Sequence, residues 1–263
     1  MNYFLRKSAM LLIILLINIL NSSQSSAKND KFDIFDVVIG DTYASAINKI
    51  LSNGGKLNTI RAEISQTGWF YATYLEFETG SNGLGREEVK ILTPIHWENY
   101  QEARINHAKS FYRWNRYDEK PFNNSFFPNY VSSNPVVFIT RDHMSPPSAA
   151  PLLNTFKSAV ISKYGPYISG EFEYVDALLW PISKTTQKEQ AYLCISSFSY
   201  PEGATDDSSI NRFFEAYKAC QKIGWMVVNF GNNDVEIYKM GAFDYETALK
   251  HMVEFDKKKR GRN

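Results

Sequence analysis

An α+β fold, in which a mostly antiparallel sheet is covered by amphipathic helices, is what this 263-residue sequence predicts. Helical periods alternate with runs of two or more strand periods, and hairpin signals outnumber strand-helix-strand crossovers. Two related α-β-β modules account for the order, one over residues 28–114 and a second over 135–263 that ends in a helix. The composition, 44% hydrophobic and 22% charged, is that of an ordinary folded chain.

Residues 1–27 precede the first module. A basic start ending Arg6-Lys7, an apolar run from Ala9 to Leu20 broken only by Asn18, and a polar stretch ending Ser25-Ser26-Ala27 form a secretory signal peptide with cleavage expected after Ala27. The apolar run falls short of the about 20 residues a spanning helix needs. The expected location is therefore periplasmic or secreted, with no stable membrane span. Cleavage lowers the basic count from 29 to 27 against 28 acids. A nearly neutral chain lacks the charge excess of a dedicated nucleic-acid binder, so no nucleic-acid partner is expected.

Phe32 to Ile39 reads as a short strand or extended lead-in, which Gly40-Asp41-Thr42 turns into a helix. Tyr43, Ala46, Ile47, Ile50 and Leu51 recur at helical spacing, Asp41 or Thr42 can cap, and Asn53-Gly54-Gly55 stops the helix. Ile60, Ala62 and Ile64 alternate along one strand. Trp69, Tyr71, Leu75 and Phe77 are expected on one face of the next, after a turn at Gln66-Thr67-Gly68, and Val89 to Leu92 makes a short third. Residues 115–134, rich in Asn, Pro, Ser and aromatics, mark a long loop or seam, and two small domains cut there fit the length as well as one compact domain.

The pattern restarts at Val136 to Thr140, apolar on both faces as a central strand would be, and Pro146-Pro147 ends it. A helix carries Leu152, Leu153, Phe156, Ala159, Val160 and Tyr164, and Gly165-Pro166 terminates it. Strands are expected near Phe172 to Val175, Ala191 to Phe198, Ile223 to Phe230 and Val235 to Lys239. Helices are expected around Ile210 to Tyr217 and Tyr245 to Val253, followed by a frayed basic tail, Lys257 to Arg262.

Three stretches carry a resemblance: Phe32 to Thr42 leading into a helix, Thr155 to Pro166 with its Lys-Tyr-Gly-Pro end, and Cys220 followed by a strand, a hairpin and Phe243-Asp244-Tyr245. Together they resemble a group of exported proteobacterial-type proteins of uncharacterised role. The helix-then-sheet unit is similar to the beta-lactamase inhibitor protein and to small outer-membrane assembly lipoproteins. Gln221 stands where the resemblance leads one to expect Gly, and no cysteine lies near the cleavage site to take a lipid. The resemblance implies fold, and it offers no active site to carry over.

Catalytic signatures for Ser, phosphoryl and zinc chemistry are absent: there is no G-x-S-x-G, phosphate loop or H-E-x-x-H. His96, His107, His143 and His251 have no i, i+4 pair for a metal, and His143 beside Arg141 and Asp142 reads as a solvated strand-end histidine. Neither metal nor cofactor is expected. Aromatic residues make up 15% of the chain, enough to fill a core and still furnish a recognition face. The candidate binding residues are Trp69 and Tyr71 on one strand and Trp97, Tyr100, Arg104, Tyr112, Arg113 and Trp114 in the aromatic-basic segment. That segment reads more readily as an amphipathic helix burying its rings than as a binding face. The expectation is a non-enzymatic binding or interaction protein with an envelope protein or glycan as partner. The alternative is a cell-envelope hydrolase or glycan-modifying enzyme with scattered acids in a cleft between the modules.

Cys194 and Cys220 are an even pair in a chain expected to be exported, which reads as a disulfide. The metal-site alternative lacks a second pair or C-x-x-C spacing. Closing the loop between them stabilises the fold by roughly 3 to 4 kcal/mol in chain-entropy terms. Ellman titration of the unfolded, unreduced protein from the periplasm is expected to find no free thiol, whereas two thiols per chain would rule out the bridge.

Overall fold

Thr42 decides where the first helix begins. Its backbone is extended, and its hydroxyl accepts from the Ser45 amide at 3.3 Å, capping α1 (Tyr43–Asn53), which Gly54 closes. The computed structural model describes residues 32–65, 67–79, 85–105, 111–117, 127–145, 150–172, 175–181, 211, 215, 217–218, 220–231 and 234–261. After α1 come β1 (Lys56–Ile64), β2 (Phe70–Thr79) and β3 (Gly85–Pro94), then α2 (Trp97–Ile105) and β4 (Phe111–Asn115). The second half holds β5 (Phe138–Met144), α3 (Leu153–Tyr164), β6 (Ile168–Phe172), β7 (Val175–Pro181), β8 (Lys222–Gly231), β9 (Asp234–Asp244) and α4 (Tyr245–Lys259).

The strands form one sheet in the order β4-β1-β2-β3-β5-β9-β8-β7-β6, and each paired neighbour is antiparallel. The α+β class with an antiparallel sheet is therefore what the chain adopts. Each half is a helix followed by an antiparallel meander, and the meanders meet at their last strands, β3 and β9, with β5 between them. Lys31–Asn263 forms one compact unit, and the sheet crosses the 115–134 seam without a break. Within that seam Asn129–Val131 make a 3-10 turn, Phe127 and Val131 are buried, and Asn134 Nδ2 donates to the Pro94 carbonyl at 2.7 Å.

Both faces of the sheet carry a core. On the first, side chains of α1 and α3 pack on Ile60, Tyr71, Leu75, Ile139, Leu178 and Met226. The hairpin of residues 32–39 lies on this face too: Ile34 and Val37 exchange backbone hydrogen bonds of 3.0 Å around Phe35 and Asp36, both left-handed at φ 55° and 62°. Asn53 Nδ2 holds that turn through the Phe35 carbonyl (3.3 Å) and the Asp36 carboxylate (3.1 Å). The Phe32 ring lies so close to the backbone of Gly224 that a Cβ there would collide with it.

On the second face α4 and α2 cover Phe70, Ala72, Leu92, Phe138, Trp225 and Phe243. Asp244 caps α4 through the Thr247 amide at 2.9 Å. The helix is latched to the turn before β2, where His251 Nε2 lies 2.7 Å from the Trp69 carbonyl and Trp69 Nε1 donates to Asp256 at 3.0 Å.

Several expectations change. Trp69 does not share a face with Tyr71, because β2 begins at Phe70 and the turn swings the indole into the second core. Phe172 and Val175 do not share one strand: Phe172 ends β6, Val175 opens β7, and the two pair with each other. β5 continues past Thr140 because Arg141, Asp142 and His143 find cross-strand partners. His143 accordingly sits in a strand, not in a solvated loop. The basic tail is helical through Lys259, with Lys258 Nζ 2.9 Å from Glu98. The expected strand Ala191 to Phe198 lies outside the described residues, as do residues 1–27 and Cys194. Cys220 is fully buried. Gln221 follows it at φ 49°, a left-handed backbone that glycine adopts without strain.

His251 generates a pH prediction. It is 9% exposed, and burial pushes its pKa down from 6.5 to about 4, against the smaller upward pull of the Trp69 carbonyl. The neutral ring donates through Nε2. As pH falls from 6.5 towards 4, the unfolded chain takes up a proton that the folded chain refuses, so stability is lost across that window by on the order of 3 kcal/mol. Denaturant unfolding between pH 7 and 4 is expected to show this slope and to lose it in His251→Gln.

Candidate functional site

The register of the central strands sorts charged side chains into rows. On the first face Leu57, Phe77, Glu87, His143, Tyr238 and Val228 lie side by side across six strands. The apolar members belong to the core, and Glu87 is buried among them at 2% exposure. A carboxylate there needs a counter-charge. Arg141 Nε donates to Glu87 Oε1, and His143 Nδ1 lies 3.5 Å from the same oxygen. Burial pushes the Glu87 pKa up, but the His143 imidazole and the Arg141 guanidinium outweigh it and hold the group below the ordinary carboxylate value.

Rings enclose this cluster. His143 stacks on Tyr238 at 4.9 Å, and the Arg141 guanidinium lies 4.5 Å from the Phe35 ring centroid. Burial drives the Tyr238 pKa up to about 12, so the phenol stays protonated at neutral pH.

The second face is helix-covered over the row Ala72, Leu92, Phe138 and Phe243; one row further out Thr140 and Trp225 are still buried, whereas Arg61 and Arg113 are exposed. There Arg113, Arg61, Tyr74, Lys90 and Thr140 stand side by side on β4, β1, β2, β3 and β5. The Arg61 guanidinium stacks 4.1 Å from the Tyr74 centroid, and Lys90 Nζ lies 5.6 Å from the same ring. The next row holds three neighbouring acids, Glu76, Glu88 and Asp142, then Lys239. Arg86 reaches Glu76 at 3.0 Å, and Lys239 reaches Asp142 at 3.0 Å. Glu88 has its pKa raised by burial and then by Asp142 and Glu76.

Beyond the acids Arg86, Met144 and Ile237 form the last row, with Met144 47% and Ile237 37% exposed. These three, with Glu88, Asp142 and His143, line a cleft of about 310 Å³. It lies where β3 of the first half meets β5 and β9 of the second. Among the described residues no group of three or more His, Cys, Asp or Glu is placed to hold a metal ion. Nor, among those residues, is any helix long and apolar enough to cross a membrane.

Of the candidate binding residues, three are interior and two are half-buried against a core. Tyr71 is buried with its ring edge-on to Tyr43 at 5.9 Å, and Trp69 and Trp114 are buried as well. Trp97 and Tyr100 pack on Phe255 at 5.2 and 5.4 Å. Arg104 lies in α2, and Tyr112 lies in β4 opposite Ala62. Of the eight, Arg113 joins the open face. The segment expected to be one helix or one binding surface is a helix followed by an edge strand. The residues that do cluster, Arg61, Tyr74, Glu88, Lys90, Asp142 and Ile237, carry no signal in the sequence beyond strand alternation.

Comparison with protein-family models, curated proteins and solved structures finds no match to this chain.

Removing the Glu87 carboxylate would leave Arg141 uncompensated on a largely buried face. Glu87→Leu is expected to cost roughly 3 kcal/mol in urea unfolding, while Glu76→Gln on the open face is expected to cost less than about 1 kcal/mol.

Proposed function

We propose that the mature chain is an exported, non-enzymatic binding protein that holds an envelope component against the open half of its second sheet face. One observation carries this reading: a partly exposed area of strand surface on which a cation-stacked tyrosine, a row of acids and two exposed apolar side chains lie within a few residues of one another. Mixed charge around an apolar patch is the composition of a recognition surface. The resemblance to the beta-lactamase inhibitor protein and the assembly-lipoprotein modules belongs to the same proposal, supported by the helix-then-meander order of each half.

A cell-envelope hydrolase is the second reading, and a specific feature favours it. Glu88 and Asp142 face each other across β3 and β5 at the cleft between the halves, and the pKa of Glu88 is raised. A carboxyl group with a raised pKa beside a second carboxylate is equipment for acid-base hydrolysis.

One set of measurements separates the two. Under the binding reading, purified protein turns over no peptide, ester or glycan substrate. A photo-crosslinker at Ile237 then captures an envelope component that one at the buried Ile91 does not, and Met144→Asp abolishes capture. Turnover lost in Glu88→Gln or Asp142→Asn would replace the binding reading with the hydrolase.

A further inference from the structure

We infer that Arg61 and Arg113 form a site for one tetrahedral oxyanion, a phosphate or sulfate group carried by the ligand of the open face. This rests on the binding reading above. The two arginines are direct cross-strand partners on β1 and β4, so they project from the same face with Cβ atoms about 5 Å apart. Like charges in that position destabilise a sheet, and both residues are exposed. Arg86 and Arg141, the other arginines of the described strands, each have a glutamate. Among the described residues Arg61 and Arg113 make no ion pair. Glu76, two residues along the neighbouring strand from Tyr74, is taken by Arg86.

Arg61 is also pre-positioned. Its guanidinium lies 4.1 Å from the Tyr74 ring centroid, and a stacked guanidinium spends its face on the ring while its edge keeps the N–H donors that fit oxyanions in pairs. Lys90, on the other side of Tyr74, adds positive charge to the row. The neighbouring row decides the kind of anion. Glu76, Glu88 and Asp142 run parallel to the cations about 7 Å further along the strands. An extended anionic plane such as a bilayer would meet both rows and be repelled by the second, whereas a single compact oxyanion meets only the first.

The test is a titration of the arginine Nε–H resonances of the mature protein with inorganic phosphate and with sulfate, checked against vesicles of phosphatidylglycerol. Saturable shifts are expected at Arg61 and Arg113. Affinity should fall roughly tenfold in Arg61→Gln and in Arg113→Gln, the worth of one charge-assisted contact, and stay unchanged in Lys250→Gln, which removes an exposed cation of α4. Circular dichroism shows that each variant keeps its fold. An equal response in the double variant, non-saturating shifts spread over all cations, or vesicle binding through these arginines would overturn the inference. Crosslinking capture at Ile237 with no phosphate or sulfate response would overturn it while leaving the binding reading in place. A phosphate response without capture would support it and remove the wider reading.

Discussion

The pairing of Glu87 with Arg141 is the interaction on which the two halves of this molecule depend. Glu87 lies on the last strand of the first meander, and Arg141 lies on the strand that joins it to the second. A buried carboxylate is tolerated only with a matched cation. Because side chains alternate faces, a slip of one residue between β3 and β5 would carry Arg141 to the opposite face and strand the acid in the core. Apolar side chains along the junction tolerate small shifts, and a charge pair does not. The Phe35 ring closes over the guanidinium from a turn that two non-glycine residues hold at positive φ. The local strain of that turn is offset by the cover it provides.

The two faces of the same strands solve opposite problems. On the first, α1, α3 and the 32–39 hairpin exclude water, and the carboxylate admitted to the interior is that of Glu87. On the second, α4 is latched to the sheet through Trp69, His251 and Asp256, and burial gives way to exposure at Arg61 and Arg113 on β1 and β4. Past that line the strands keep their regular register but turn polar. A strand surface of regular register and varied charge results, backed by the core of the first face.

How much of this is legible in the residues depends on what each feature is made of. Helix α1 follows from its apolar stripe, the Thr42 cap and Gly54, all local signals, and α4 follows equally from the helical spacing of Tyr245, Ala248, Leu249 and Met252. The alternation of helices with hairpins makes the fold class readable. Strand β4 is hidden because Trp97 to Tyr117 mixes rings and cations in a way that fits a helix as well as a strand. The far end of β5 is hidden because Arg141, Asp142 and His143 look like a solvated end until their partners on β3 and β9 are known. Trp69, Tyr71, Trp97 and Tyr100 suit a binding surface by composition, but large rings go where area burial is worth most, which is the core. The open face is a product of register between strands far apart in sequence, and no local pattern reports which lysine stands beside which tyrosine.

The ends of the sheet have their own consequence. β4 and β6, the outermost strands, are five residues each, while β2, β3, β8 and β9 run to ten or eleven. Every strand edge offers unpaired amides and carbonyls on which another chain could grow a β-ladder. Among the described strands, this tapering leaves outermost strands of about 17 Å of backbone each. Short margins of this kind blunt edge-to-edge pairing between copies, while the long central strands keep their register.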